Sequence, residues 1–309
     1  VVGPTGAGKT RIAIALARAL DSEILSADSM QFYRGMEIGT AAPTPEERAL
    51  APHHFVGILS PGEDMAAGAY QRMARERARV LLDQGKLPVL VGGSGLYVSA
   101  FIDGLFEGPA RDQATRDRLR EEAALRGNTH MMDRLRAVDP DYARLLTSDN
   151  DLVRIVRALE VYELTGRPFS DWHREHQEQG EPWETLQVAP LWERDILYDR
   201  INRRVEAMVA QGWRAETERL LEAGHGPDIE RLKALGYREM AACIRGACTL
   251  EDAVAATRQH HRRYAKRQMT WFRADKRIVW TPCATPDDLE AVALDILQRL
   301  RTLTVAHNP

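Results

Sequence analysis

A glycine-rich segment near the start of the chain has the residue types and spacing that bind phosphate. It follows the pattern G-x-x-x-x-G-K-[ST] with the residues Gly3, Pro4, Thr5, Gly6, Ala7, Gly8, Lys9 and Thr10. The glycines allow consecutive backbone N–H groups to turn toward an anion, and a following helix presents the N–H groups of its first turn. Lys9 would add a positive charge, and the Thr10 hydroxyl could ligate Mg²⁺. The segment predicts binding of a diphosphate or a triphosphate without saying which.

A carboxylate follows the next apolar run. Asp28 comes directly after the predicted strand Glu23–Ala27, and the carboxyl ends of strands in an open parallel sheet face the ligand crevice. Three interpretations of Asp28 stay open at this point. It could cap the next helix, hold Mg²⁺, or act as a general base on an acceptor beside the phosphate.

Strand and helix patterns alternate through the N-terminal third of the chain. Apolar residues recur at helical spacing in Thr10–Leu20 and Tyr70–Gln84, and short apolar runs predict strands at Glu23–Ala27, His54–Ile58 and Leu87–Val91. Alternation of this kind predicts an α/β fold in which helices flank a parallel sheet, as in the P-loop NTPases.

Beyond Gly104 the composition changes. Residues 109–185 are rich in Arg, Glu, Asp, Ala and Leu, with helical periodicity in Thr115–Arg126 and Leu152–Thr165. We expect a mostly helical insertion domain here, and a core domain formed by residues 1–108 and 186–309. The expected later elements of the core are a strand at Leu186–Leu191, helices at Asp195–Gln211, Arg214–Ala223 and Leu250–Trp271, a strand at Arg277–Trp280 and a helix after Pro286.

Composition and charge exclude several classes of protein. The chain has 309 residues, of which 44% are apolar and 28% charged, with a net charge of −3. These values exclude a disordered chain, a collagen and a uniformly basic nucleic-acid coat. The spacing of Cys243 and Cys248 with His260 and His261 is not that of a zinc site, and the cysteine usage favours the reducing cytoplasm. No apolar run is long enough to span a membrane, and a monomer is the default expectation.

A basic segment with interleaved aromatic residues lies near the C-terminal end. Between Arg258 and Arg277 only Asp275 opposes the basic residues, and Tyr264, Trp271 and Phe272 lie among them. Basic side chains contact nucleic-acid phosphates, and aromatic rings stack on unpaired bases. The alternative is a solvated helix whose aromatic residues belong to the core.

Taken together, the motifs resemble those of the bacterial tRNA dimethylallyltransferases, or tRNA isopentenylpyrophosphate transferases. The resemblance covers nearly the whole chain, and only its phosphate loop is shared with many other proteins. The matching segments are GPTGAGKT at Gly3–Thr10, DSMQFYRGMEIGTAAP at Asp28–Pro43, GGSGLYVSA at Gly92–Ala100, NDLVRIVRALEVYELTG at Asn150–Gly166, DRINRRVEAMV at Asp199–Val209, ALGYRE at Ala234–Glu239 and KRQMTWFR at Lys266–Arg273.

The resemblance implies an activity, a cofactor and catalytic residues. Such enzymes transfer a dimethylallyl group from dimethylallyl diphosphate to N6 of the adenine 3′ of the anticodon in tRNA, and they require Mg²⁺. Asp28 would be the general base that accepts the N6 proton. Lys9, Thr10 and the loop N–H groups would stabilise the departing diphosphate, with Thr10 on the Mg²⁺. Arg200 and Arg204 share one helix face. They resemble the basic pair of the family, or they form a solvated face paired with Asp199 or Glu206.

The resemblance also implies contacts with the anticodon stem-loop of tRNA, gripped by the helical insertion, and extrusion of the target base into a channel. The residues that would contact tRNA are Asp28, Ser29, Met30, Gln31, Ser94, Arg116, Val153, Arg154, Ile155, Val156, Arg157, Lys233, Gly236, Tyr237, Arg238, Arg263, Lys266, Arg267, Gln268, Trp271 and Arg273.

Three other functions are compatible with parts of the sequence. A small-molecule or nucleoside kinase would use the same phosphate loop with Asp28 as base, but it leaves the basic segment unused. An isopentenyltransferase acting on free adenine nucleotides would not need the long basic C-terminal region. An RNA-binding protein with a regulatory nucleotide site would not need a carboxylate at Asp28.

Overall fold

The structure is a computed structural model that describes residues 1–106, 108–179 and 182–306. The chain forms two compact units. One unit, the core unit, comprises Val1–Ile102 and the chain from Trp183 onward, and the other, the helical unit, comprises Asp103–Pro182. No helix among the described residues combines the length and the apolar character needed to cross a lipid bilayer.

The core unit is built on parallel strands. Strands β1 (Ile24–Ser26), β2 (His53–His54) and β3 (Val89–Val91) pair in the order β2-β1-β3, and β4 (Gln187–Trp192) pairs with β5 (Ile278–Cys283). Val1 and Val2 lie between the two groups. The N–H of Gly92 donates to Val1 O (3.2 Å), and the N–H of Val2 donates to Val188 O (3.0 Å). The strands therefore form one layer that leads directly into the phosphate loop.

Helices account for most of the remaining described chain. In the core unit they are α1 (Lys9–Ala19), α2 (Pro45–Leu50), α3 (Ala67–Asp83), α4 (Gly95–Ile102), α10 (Arg194–Ala210), α11 (Trp213–Glu222), α12 (Gly226–Leu232), α13 (Tyr237–Ile244), α14 (Leu250–Ala274) and α15 (Asp288–Ala306). In the helical unit they are α5 (Gln113–Arg126), α6 (Asn128–Val138), α7 (Pro140–Leu145), α8 (Leu152–Thr165) and α9 (Phe169–Gln179).

Local sequence explains where the longest helix begins and which face it buries. Thr249 caps α14 by accepting from the N–H of Asp252, whose side chain in turn accepts from the N–H of Thr249. Ala253, Thr257, His261, Ala265, Gln268 and Phe272 follow at spacings of three and four and are buried. The basic residues of α14 are thereby left on its other faces.

The helical unit has its own core. Leu119 of α5, Met131 and Leu135 of α6, and Ile155 and Leu159 of α8 pack together and are buried. Helix α8 ends where Gly166 adopts a left-handed conformation (φ 69°). All the regular elements within the described part of this unit are helices.

The α/β fold class is confirmed, and most predicted elements lie within a few residues of their expected positions. Helix α8 spans the expected residues Leu152–Thr165. The expectation for His54–Ile58 is wrong, because only His53 and His54 are in a strand. Phe55 and Gly57 have positive φ angles of 65° and 64°, which an extended strand does not allow.

Candidate active site

The phosphate loop begins after Val2 and leads into α1. Its glycines are required for two reasons. Gly6 and Gly8 have positive φ angles of 80° and 90°, which side-chain-bearing residues rarely adopt. An added Cβ would also lie 2.8 Å from Ile201 Cγ1 at Gly6 and 2.5 Å from Leu289 Cδ1 at Gly8. Helices α10 and α15 therefore pack against the loop so closely that only glycine fits.

Gln268 of α14 joins this loop to the segment that follows β3. Its Oε1 accepts from the N–H of Thr5 (2.8 Å), and its Nε2 donates to the carbonyl of Gly93 (2.8 Å). The side chain is buried. Both polar ends of Gln268, which the resemblance assigns to tRNA contact, are engaged within the protein, so the structure gives this side chain a supporting position.

Three cationic side chains converge on the loop. Lys9 Nζ donates to Pro4 O (2.9 Å), Arg200 Nε donates to Gly6 O (2.9 Å), and Arg204 Nη2 donates to Thr5 Oγ1 (2.6 Å). The Arg200 guanidinium also lies 4.1 Å from the centre of the Trp192 ring. The face of α10 that carries both arginines therefore points at the phosphate loop.

The alternative for this arginine pair, a solvated face paired with Asp199 or Glu206, is wrong. Asp199 pairs with Arg203 (2.9 Å) and Glu206 pairs with Arg258. Over the described residues, neither Lys9 nor Arg204 has a carboxylate within ion-pair distance.

Burial perturbs the two cations nearest the loop. Burial lowers the pKa of Lys9 to about 8, with Asp28 opposing this change and Arg204 adding to it. Burial likewise lowers the pKa of Arg204 to about 10, against the influence of Asp28. A desolvated positive charge without a paired carboxylate is unfavourable unless an anion compensates it. The site is therefore prepared for a polyanionic ligand.

Asp28 lies on the same cavity. Its Oδ1 accepts from the N–H of Met30 (3.0 Å), and Ser94 Oγ accepts from the N–H of Ser29 (3.0 Å). These bonds shape a turn after β1, and the next helix, α2, begins only at Pro45. The helix-cap interpretation of Asp28 is therefore wrong. The cavity has a volume of about 1120 Å³ and is lined by the loop and by Lys9, Thr10, Asp28 and Arg204 among other residues.

A buried carboxylate that sequence reasoning missed holds another wall of this cavity. Glu216 accepts from the N–H groups of Ile38 (2.8 Å) and Gly39 (3.0 Å) and from the hydroxyl of Tyr237 (2.6 Å). Burial raises the pKa of Glu216, although these hydrogen bonds oppose the rise. The available signal was its position between Trp213 and Leu220 on the buried face of α11. Tyr237 is wholly buried, so its side chain supports the cavity wall.

Of the remaining residues that the resemblance assigns to tRNA contact in the core unit, some are partly or fully buried and the others are exposed. Met30 and Gln31 are half-buried, and Gln31 Nε2 donates to Ala41 O (3.1 Å). Gly236 opens α13 with its N–H donating to Glu239 (3.0 Å). The side chains exposed at the surface are Lys233, Arg238, Arg263, Lys266, Arg267, Trp271 and Arg273.

In the helical unit, two of the expected tRNA-contacting arginines have an internal partner. Arg116 and Arg157 pair with Glu160 at 2.9 Å and 2.7 Å, and the Glu160 side chain is 0% exposed. Arg154 pairs with Asp151 at 3.4 Å, and the Val153 side chain is 80% exposed.

The side chains of Ile155 and Val156, in contrast, belong to the hydrophobic core of this unit. They are not at the surface where the resemblance implies a contact, because the periodicity of α8 turns them inward.

Metal-binding side chains are scarce as clusters among the described residues of this chain. The part of the chain that the structure describes contains no group of three or more His, Cys, Asp or Glu side chains able to hold a metal ion. Cys243 is buried and His260 pairs with Glu239 (2.9 Å). The oxygen-bearing side chains that line the cavity include the Thr10 hydroxyl and the carboxylates of Asp28, Glu37, Glu47 and Asp199.

Comparison with known proteins decides the family. Residues 31–275 match the family described as IPP transferase. The chain belongs to this family. An IPP transferase relative, the tRNA dimethylallyltransferase of Syntrophobacter fumaroxidans, is 47% identical over 291 residues, which cover 94% of this chain and 85% of the relative. The resemblance inferred from the motifs is confirmed.

Solved structures of IPP transferases agree with the fold. The full-length tRNA isopentenylpyrophosphate transferase of Bacillus halodurans is 36% identical, with a TM-score of 0.70 over 100% of this chain and 98% of that one. A eukaryotic dimethylallyltransferase acting on tRNA is 23% identical, with a TM-score of 0.82 over 100% of this chain and 79% of that one. The latter shares the fold.

Proposed function

We propose that this protein transfers the dimethylallyl group of dimethylallyl diphosphate to N6 of the adenine 3′ of the anticodon in tRNA and releases diphosphate. Membership of the IPP transferase family and the 47% identical tRNA dimethylallyltransferase support this proposal. The observation that carries it is that one cavity holds both cations for a diphosphate and a carboxylate that can accept a proton. Unpaired cations, Lys9 and Arg204, lie around the phosphate loop, and the Asp28 carboxylate lines the same cavity.

The donor end of the cavity is the phosphate loop. The loop N–H groups, Lys9, Arg200 and Arg204 bind the diphosphate, and their charges stabilise it as it departs. Because these side chains are held by the carbonyls of Pro4 and Gly6 and by the Thr5 hydroxyl, little reorganisation is needed when charge develops on the leaving group.

The acceptor end is the turn that carries Asp28. The N6 lone pair of adenine forms the new bond to the allylic carbon, and the bond from that carbon to the diphosphate oxygen breaks with its electron pair on the oxygen. The proton lost from N6 passes to the Asp28 carboxylate, which acts as general base. Without that acceptor N6 is a poor nucleophile, because its lone pair is delocalised into the ring.

Mg²⁺ is the proposed cofactor, and the residues present fit it. Thr10 offers a hard oxygen ligand on the cavity that takes the diphosphate, and Mg²⁺ in such sites completes its shell with phosphate oxygens and water. When bound, the ion would neutralise charge on the diphosphate. A cage of several protein carboxylates is not required for that role.

The exposed basic face of α14 is the proposed contact for tRNA. Arg263, Lys266, Arg267 and Arg273 can pair with phosphates, and Trp271, 43% exposed, can stack on an unpaired base. The target adenine leaves its stack to reach Asp28. The helical unit binds the anticodon stem-loop, with Arg154 and Val153 at its surface. The protein works in the cytoplasm as a monomer.

A transfer assay tests the proposal directly. Purified protein, Mg²⁺ and labelled dimethylallyl diphosphate are mixed with an anticodon stem-loop RNA or, separately, with AMP. We expect label in the RNA, and no label when the target adenine is replaced by guanine. Label in AMP but not in RNA would indicate a free-nucleotide enzyme. Label in neither acceptor, together with ATP-dependent phosphorylation of a small alcohol, would indicate a kinase.

A further inference from the structure

A buried histidine with no part in the proposed chemistry lies directly behind the donor site. His261 of α14 is 5% exposed. Its Nδ1 lies 2.9 Å from Nη2 of Arg204, the same nitrogen that donates to Thr5 Oγ1 at 2.6 Å. Arg204 Nε is buried and has no hydrogen-bond partner among the described residues. The guanidinium is therefore fixed through Nη2, and its buried Nε has no described partner.

The chemistry of this contact defines the protonation of the histidine. A guanidinium has only donors, so Nδ1 of His261 must accept and the ring proton must lie on Nε2. Burial, and secondarily the charge of Arg204, lower the pKa of His261 to about 3. The imidazole is thus neutral at any pH at which the enzyme would work.

A neutral acceptor has a different effect from a carboxylate. An Asp or Glu at this place would orient the guanidinium but would also cancel its charge. An imidazole nitrogen orients it and leaves the full positive charge for a ligand. Arg204 needs such an anchor, since its side chain otherwise has many rotamers and each lost rotamer costs binding energy when the ligand arrives.

We propose that His261 is a positioning residue that fixes the Arg204 guanidinium against the phosphate loop, so that the donor diphosphate meets an oriented and uncancelled charge. This inference deepens the proposed function and rests on it for the identity of the donor. The ligand class that the arrangement recognises is an organic diphosphate.

Two substitutions separate positioning from packing. His261→Ala removes the acceptor, whereas His261→Asn places an amide oxygen close to the position of Nδ1. Steady-state transfer is measured with dimethylallyl diphosphate varied at saturating RNA and with RNA varied at saturating donor. Inorganic pyrophosphate, which lacks the allyl group, is titrated calorimetrically as an independent probe of the same pocket.

The expected result is specific to the donor. In His261→Ala the KM for dimethylallyl diphosphate and the Kd for pyrophosphate both rise about tenfold, the loss typical of a hydrogen bond to a charged group. The KM for RNA stays within about twofold. His261→Asn recovers most of the donor affinity. Adding His261→Ala to Arg204→Met weakens pyrophosphate binding no further, because the histidine acts through Arg204.

The adjacent residue supplies a matched control. His260 is on the same helix but pairs with Glu239 at 2.9 Å, so His260→Ala leaves both donor constants unchanged. An unchanged pyrophosphate Kd in His261→Ala, or an equal loss in His261→Asn, would overturn the proposal. Since pyrophosphate binding needs no transfer, a wild-type protein that fails to modify RNA would refute the proposed function and still leave the role of His261 measurable.

Discussion

Partly buried arginines occur in both units, and their partners differ. In the helical unit Arg116 and Arg157 pair with Glu160, whose side chain is fully buried. In the core unit Arg204 is held by Thr5 and His261, which are neutral, and no described carboxylate lies within ion-pair distance of it. In the first arrangement both guanidinium groups share a buried carboxylate partner, so the cluster is structural. In the second no described carboxylate pairs with the guanidinium, so its charge is left for an anionic ligand.

The surroundings of Glu160 show how fully its carboxylate is hydrogen-bonded. Its carboxylate accepts from the N–H of Asp112 (2.8 Å), from Arg116 Nε (2.9 Å) and from Arg157 Nη1 (2.7 Å). Burial opposes ionisation of Glu160, but hydrogen bonds from Arg116 and Arg157 outweigh it and lower the pKa. This carboxylate ties the start of α5 to α8, so the two arginines serve the fold of that unit.

The largest expected effect is that of Asp28→Asn. If Asp28 is a base and not a counter-ion like Glu160, kcat falls by about 10²–10⁴, while the Kd for dimethylallyl diphosphate is unchanged or lower because a negative charge has left the donor cavity. Rapid-quench transfer assays measure the rate, and calorimetry measures the Kd for dimethylallyl diphosphate. The control is Asp133→Asn, which removes an exposed carboxylate that pairs with Arg136 at 2.6 Å and does not line the cavity. Wild-type turnover in Asp28→Asn would show that the base lies elsewhere.

Next in size is the contrast between Glu160→Leu and Arg204→Leu. Removing Glu160 leaves two guanidinium groups without their buried partner and destabilises the helical unit by about 3–5 kcal/mol. Removing Arg204 takes away a charge that no carboxylate compensates, so the free energy of unfolding falls by less than about 1 kcal/mol while donor affinity drops. Hydrogen exchange of α5 and α8 amides reports the first effect. Equal destabilisation by both substitutions would abolish the distinction between the regions.

The same contrast has a pH signature. Because the folded pKa of Glu160 is lowered, its contribution is complete above the unfolded value of about 4.3 and is lost as the pH falls through the lower folded value. The difference in unfolding free energy between wild type and Glu160→Gln should therefore be constant near neutral pH and shrink below about pH 4. A difference that persisted at pH 2 would mean that Glu160 acts through packing.

A smaller effect is expected at the exposed arginines of α14. Arg263→Ala and Arg273→Ala should each weaken RNA binding several-fold at moderate salt and reduce the slope of log K against log salt by about one. Donor constants should not change. Arg299→Ala, on α15 and paired with Asp295, is the control for removing a surface charge. Undiminished RNA affinity in the α14 variants would place the RNA site on another face.

The smallest expected effect is the number of protons taken up when dimethylallyl diphosphate binds. With its pKa lowered to about 8, Lys9 is partly neutral at pH 8, and a bound diphosphate raises that pKa again. Binding of dimethylallyl diphosphate should therefore take up about half a proton at pH 8 and almost none at pH 6. Calorimetry in buffers of different ionisation enthalpy measures it. Lys9→Arg should abolish the uptake, since a guanidinium does not titrate there.

Much of the site was predictable because its signals are local. Gly6 and Gly8 indicate the backbone conformation of the phosphate loop, because glycine permits positive φ angles. Asp28 follows a recognisable strand. The four-residue spacing of Arg200 and Arg204 implies a common helix face. Local periodicity likewise placed most helices. The same periodicity turns Ile155 and Val156 toward the core of the helical unit. Their assignment to tRNA contact was wrong because the resemblance concerned the whole segment and did not separate its inward from its outward side.

The sequence did not reveal which side chains, distant along the chain, contact one another at the site. Sequence alone determined which backbone could hold a phosphate and which fold class would carry it, since glycine conformations and hydrophobic periods act within a few residues. Only the tertiary structure decided that Glu216 holds the loop at Ile38 and Gly39, that Gln268 joins Thr5 to Gly93, and that Arg204 meets a neutral His261. Such pairs form when distant helices pack, and the burial that packing creates decides whether a charge is cancelled or kept for a ligand.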